Sequence, residues 1–179
     1  MDLHNVVQAI QASAPADWMR TSVKAMPIVE AIHVLAAATV FGTIFIVDLR
    51  LLGFRDTNRP VTLMSREMLR LTWAAFGVSV AAGVLMFAAN ASTYVGNTAF
   101  RLKMLAVLAA GVNMALFHRF TFRTVGAWDK AAPAPLAARA AGAISILIWV
   151  SVIFLARWIG FTKGYDFRIP ANTHIDFTF

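Results

Sequence analysis

The sequence predicts an all-α fold, an integral membrane four-helix bundle preceded by an amphipathic helix at the membrane interface. Composition is the first reason: 59% of the 179 residues are apolar and 14% are charged, with a mean hydropathy of +0.68, where soluble domains carry about 25% charged residues. Apolar runs are the second. Four of them, at about 28–47, 71–89, 100–117 and 140–161, have nearly the ~20 residues that cross a ~30 Å hydrocarbon core. The third is that basic residues collect between these runs. That distribution turns the net charge of +7 into a signal for membrane orientation rather than for nucleic-acid binding. No nucleic-acid partner is expected.

One domain spans residues 1–179, with interfacial helices over 1–26. Leu3, Val6, Val7 and Ile10 recur at i, i+3, i+4 and i+7, the stripe of a helix lying on a membrane. Pro15 breaks it, Asp17 is expected to cap a second short helix, and Trp18 suits headgroup depth. The opening MDLHNVVQAIQAS lacks the basic and then apolar order of a secretory leader, so the mature chain is expected to start at Met1. Pro27 opens the first span at a position where its missing N–H does no harm.

Gly53, Asn58 and Pro60 mark the turn into the second span, whose Ala74, Gly77, Ala81 and Gly83 permit close helix approach. Asn90 to Asn97 reads as a short polar connection, and residues 119–139 as a loop. The tail, 162–179, is mixed polar and aromatic and predicts no element. The segments Asp48–Arg70 and His118–Arg139 hold nine of the sixteen basic residues. The positive-inside rule then makes these two loops cytoplasmic and places both termini on the outer side of the membrane.

Function is carried by the ionisable groups inside the spans, where even lenient insertion scales charge at least ~2.5 kcal/mol per group. Glu30 and His33 share a face of the first span, which ends in Asp48-Leu49-Arg50. From His33 to Asp48 and from Lys103 to His118 is fifteen residues each, ~22 Å of helix that returns to nearly the same face. An outer layer of His33 and Lys103, with Met86, Asn90, Arg157 and Trp158, is therefore expected, and an inner layer of Asp48, Arg50 and His118. Two axial ligands of one iron must meet at one depth, so His33 and His118 do not clamp a single haem.

The chain has no cysteine, which excludes disulfides, iron–sulfur clusters, thiolate zinc and covalent haem. A di-iron site needs further carboxylates, and spans two to four supply none. A transporter would want broken helices, and no span has an internal proline. The leading reading is b-type haem, with His33 as axial ligand, Lys103 as second ligand or propionate partner, Arg157 at a propionate, Glu30 orienting or protonating, and His118 as a possible second site. Plainer readings stand beside these: a buried Glu30–His33 pair locking helices, snorkelling by Lys103 and Arg157, an interfacial His118, and Asp48-Leu49-Arg50 as an inner clamp. Thioethers near His33 keep copper open.

Four motifs carry a resemblance: Val29-Glu30-Ala31-Ile32-His33, Val47 to Gly53, Phe100 to Lys103, and Asn113 with His118. They resemble a family of small bacterial four-span membrane proteins over most of residues 25–160. More distantly, the span-one histidine and the lysine opening span three are similar to the haem-binding membrane protoporphyrinogen oxidase and to copper-resistance D-type membrane domains. The first likeness implies haem b at His33 and Lys103. The function expected is thus electron transfer or oxidation of a lipophilic partner such as a quinone or tetrapyrrole. The alternatives are copper handling and a cofactor-free subunit of a homo-oligomer or larger membrane complex.

Overall fold

A computed structural model describes residues 3–54, 59–130 and 134–162. The tail beyond 162, with His174 and Tyr165, and Asn58 and Pro133 in the loops lie outside the described residues. The elements, in order, are α1 (Leu3–Gln11), α2 (Ala14–Thr21), α3 (Ala25–Leu52), α4 (Val61–Ala89), α5 (Ala91–Gly96), α6 (Thr98–Leu116), a π-turn (Phe117–Thr121), a 3₁₀ segment (Phe122–Ala127) and α7 (Leu136–Thr162). Four helices are long and apolar enough to cross a membrane, and the protein is a multi-pass membrane protein.

The spans outrun their apolar cores. α3 has 28 residues, ~42 Å at 1.5 Å per residue, and α4 starts ten residues before the expected Leu71. Its first turns, VTLMSREMLR, carry charge on one face, and nothing in them breaks a helix. Asn90–Asn97 is likewise a helical turn rather than an irregular connection, and 117–127 is π and then 3₁₀ helix rather than loop. Neither segment has a proline. Asp17 lies within the first turn of α2, while Ser13 holds the N-cap position; the proline that follows Ala14 starts the helix earlier than expected.

α3 is the central helix. It packs along α4 and α7, α6 packs along α7, and the fourth edge of the bundle, between α4 and α6, has no comparable packing. α7 approaches α3 closely at Gly142, where an added Cβ would stand 3.3 Å from the Asp48 carbonyl oxygen and 3.4 Å from Leu51 Cβ. α1 and α2 cover the end of the bundle where α3 begins: Met19 joins Ala25, Val29, Ala82 and Ala89 in one apolar cluster, and Gln11 donates to Ser92 at 3.2 Å. At the same end Asn97 caps α6 by accepting from the Phe100 N–H at 3.0 Å and donates to Thr162 at 2.9 Å.

The opposite end is closed by polar groups. α3 stops at Gly53, whose φ of 84° is the left-handed cap conformation; the Gly53 and Phe54 N–H groups return to the Arg50 and Leu49 carbonyls at 3.1 and 3.0 Å. Arg50 has no exposed surface. Its guanidinium donates to the Arg59 carbonyl at 3.1 Å and to the Asp129 carbonyl at 3.4 Å. Asp129 in turn caps α4 from another loop, accepting from the Thr62 N–H at 2.8 Å and from Thr62 Oγ1 at 2.7 Å. With the Val61 N–H donating to the Asp129 carbonyl at 3.0 Å, Asp129 meets two N–H groups that Pro60, at the helix N-cap, leaves unanswered.

Partial desolvation works to raise the Asp129 pKa, but the Thr62 and Val61 hydrogen bonds and the Arg50 charge outweigh it and hold the carboxyl below its usual value. A depressed folded-state pKa contributes stability above the unfolded value of about 4 and loses it as pH falls through the folded one. Asp129→Ala should therefore cost about 1 kcal/mol at neutral pH in denaturant unfolding of the detergent-solubilised protein. The gap between variant and parent should close as pH drops below about 4; a gap independent of pH would contradict the capping role.

Candidate functional site

Two layers of polar side chains sit inside the bundle. The first is built on His33, half-buried on α3. Its Nδ1 lies 2.8 Å from the Ser79 carbonyl oxygen of α4. A carbonyl only accepts, so Nδ1 carries the proton and, in the neutral ring, Nε2 keeps its lone pair. The ring lies over Gly83, where a Cβ would stand 3.2 Å from His33 Cε1; the small residue makes room for the imidazole between the helices. Lys103 of α6 and Glu30 are near enough for their charges to act on the ring. Lys103 is half-buried, whereas Glu30 is exposed, and the ring's direct bond is to Ser79, not to Glu30. Arg157 is exposed and lies over the Phe161 ring, 5.0 Å from its centroid.

The second layer lies fifteen residues along α3, ~22 Å away. α3, α4, α6 and α7 enclose a cavity of about 180 Å³ there. Asp48, 6% exposed, faces it together with Thr43, Thr72, Asn113, His118 and Ser145. Ser145 hydrogen-bonds to the Asp48 carboxylate, and Oδ2 is buried with no hydrogen-bond partner among the described residues. Thr43 and Thr72 hydroxyls join α3 to α4 at 2.8 Å, and Asn113 donates to the Ala141 carbonyl at 3.1 Å, joining α6 to α7. His118 Nδ1 donates to the Met114 carbonyl at 3.0 Å, again leaving Nε2 open.

The residues read from the sequence thus divide. Lys103 is near enough to His33 for its charge to act on the ring, and Asp48 and His118 line one cavity at another depth. Glu30 and Arg157 stand on exposed faces. Arg50 shares an end of α3 with Asp48 but turns to the loops, as i and i+2 positions on a helix diverge. Sequence reasoning missed Ser79, Ser145, Thr72 and Asp129. The first two were legible as isolated hydroxyls inside apolar runs, FGVSVAAG and AGAISILIW; Asp129 offered no local signal, because its partners are far along the chain.

These features define an α-helical membrane protein of four spans with ionisable groups held between them. Residues 21–162 match the model of a family of unknown function, DUF6644, and the chain belongs to that family. No curated protein and no solved structure matches the chain.

Substitution separates Gly83 from Gly77, whose Cβ would meet nothing within 4 Å. Gly83→Leu must displace the imidazole from the Ser79 carbonyl and is expected to cost 1–3 kcal/mol, the range for overpacking (roughly,). Gly77→Ala should be neutral or slightly stabilising. Denaturant titration in detergent checks both, and equal effects at the two positions would contradict the close packing of His33.

Proposed function

We propose that this protein is a membrane redox module that holds b-type haem at His33 and passes electrons to or from a lipophilic partner such as a quinone or tetrapyrrole. The observation that carries the reading is the Nδ1–H bond to the Ser79 carbonyl. Histidines that ligate metals commonly tie one ring nitrogen to a carbonyl, which fixes the ring and raises the basicity of the other. The donor set suits haem better than a bare copper ion. Haem needs one or two axial donors, whereas among the described residues no three His, Asp or Glu side chains converge on a metal-sized site.

In this reading His33 would hold the iron through its open ring nitrogen, and Lys103 would either ligate it as the neutral amine or meet a propionate with its charge. The unpacked edge between α4 and α6 leaves room for a flat ligand. Haem would supply one-electron chemistry, and the chain the ligand, depth and electrostatics. Ser79 and Gly83 orient the imidazole. Glu30 and Arg157, both exposed, would meet propionates at the membrane surface. His118, in the other layer, is the position for a second centre. The excess of basic residues in the loops joining α3 to α4 and α6 to α7 supports insertion in a bacterial inner membrane with both termini outside. α6 buries only Ala99 and Ala110 among the described residues, which leaves an apolar face open to lipid, to a second copy or to another membrane subunit.

The test is the absorption spectrum of protein purified from haem-supplemented cells, before and after dithionite. A Soret band that shifts on reduction is expected, lost in His33→Ala and altered in position in Lys103→Met. A spectrum without a Soret band, or one unchanged in His33→Ala, would overturn the reading; metal analysis would then decide between copper and a cofactor-free subunit.

A further inference from the structure

We propose that the cavity around Asp48 is a binding site for a lipophilic molecule whose aromatic ring carries a hydroxyl, a phenol or hydroquinone. This site is distinct from the His33 layer and stands whether or not haem binds there. Three features carry it. A space of about 180 Å³ slightly exceeds the ~150 Å³ apolar cavity that accommodates benzene, so one substituted ring fits. The walls suit a ring, since Trp73, Phe76, Phe117 and Trp149 line the space and aromatic faces and edges pack favourably on one another.

The third feature selects the polar group. Asp48 Oδ2 is buried, lacks a partner among the described residues and belongs to a residue lining this cavity. Ser145 already serves the carboxyl group, so the open oxygen calls for a partner from outside the chain. A carboxyl left half-satisfied in an apolar surround is costly, and a hydroxyl removes that cost in either protonation state, because it both donates and accepts. A ketone or ether only accepts. His118 Nε2, left open by the Nδ1 bond to Met114, is a second acceptor lining the cavity, which suits a ring with two hydroxyls. Entry needs no gate through water, because the bundle edge between α4 and α6 is not packed shut.

The test uses full-length protein in lipid nanodiscs, with empty nanodiscs as the blank, and isothermal titration of 4-hexylphenol, 4-hexylanisole and hexylbenzene. These probes share ring and chain and differ in the donor. The phenol should bind saturably at one site per chain and about tenfold tighter than the other two, the ratio expected for one buried hydrogen bond. Asp48→Asn should erase most of that preference, and Val107→Phe, which fills the cavity and leaves the carboxylate alone, should abolish binding of all three. Equal affinities for the three probes in the parent protein, or partitioning no different from empty nanodiscs, would overturn the proposal. If Asp48→Asn does not fold, the three probes on the parent protein and the Val107→Phe variant decide the matter. A haem spectrum that fails while phenol binding succeeds leaves this site standing, and the reverse leaves the His33 reading standing.

Discussion

Hydrocarbon offers no hydrogen bonds, so each polar group carried into it must be met by another part of the chain. In this protein that constraint falls on α3, which carries an imidazole, a carboxyl and a guanidinium. Each is answered by a different neighbour: His33 by the α4 backbone, Asp48 by Ser145 of α7, Arg50 by carbonyls of the two loops at its end. The helix contacts follow the same distribution, with α3 packed on α4 and α7. In lipid, apolar contacts alone give little drive for helix association, so these polar ties and the close approaches at Gly83 and Gly142 set how the spans meet.

The ties share a second property. Each side chain is engaged through part of its polar capacity: among the described residues Asp48 Oδ2 and Arg50 Nη1 have no hydrogen-bond partner, and the Nδ1 bonds of His33 and His118 leave Nε2 to other partners. A network that served stability alone would close these atoms, because a half-satisfied buried polar group costs more than an apolar one. The open atoms do not fall at random. One pair lies on the cavity between the four helices, and His33 lies near Lys103 of α6. Arg50 differs, since it is sealed completely and its role is to hold the loops and, through Asp129, the start of α4.

The number and order of spans were legible because 3.6-residue helices in lipid need long apolar runs, and nothing else in the sequence imitates them. Depth was legible too, since residue counts convert to rise along a straight helix; this is why His33 and Asp48 fall in separate layers. Boundaries were less so. The amphipathic start of α4 and the turn after Asn90 have polar residues but no helix breaker, and polarity at a membrane surface marks depth, not the end of a helix. Facing was the least legible. Glu30 and His33 are three residues apart, yet the second reaches Ser79 and the first is exposed, because the helix neighbours of each are set by long-range packing. The link from Arg50 through Asp129 to Thr62 joins three segments, and no local pattern reports it.

Imidazole tautomers give the most direct measure of whether α3 is held in this way. In ¹⁵N-histidine spectra of the protein in lipid, with His33 assigned through the loss of its signals in His33→Gln, the account predicts a neutral ring protonated at Nδ1, with an unprotonated Nε2 that responds when haem is added. A His33 ring protonated at Nε2 alone, or one exchanging freely with water between tautomers, would contradict it.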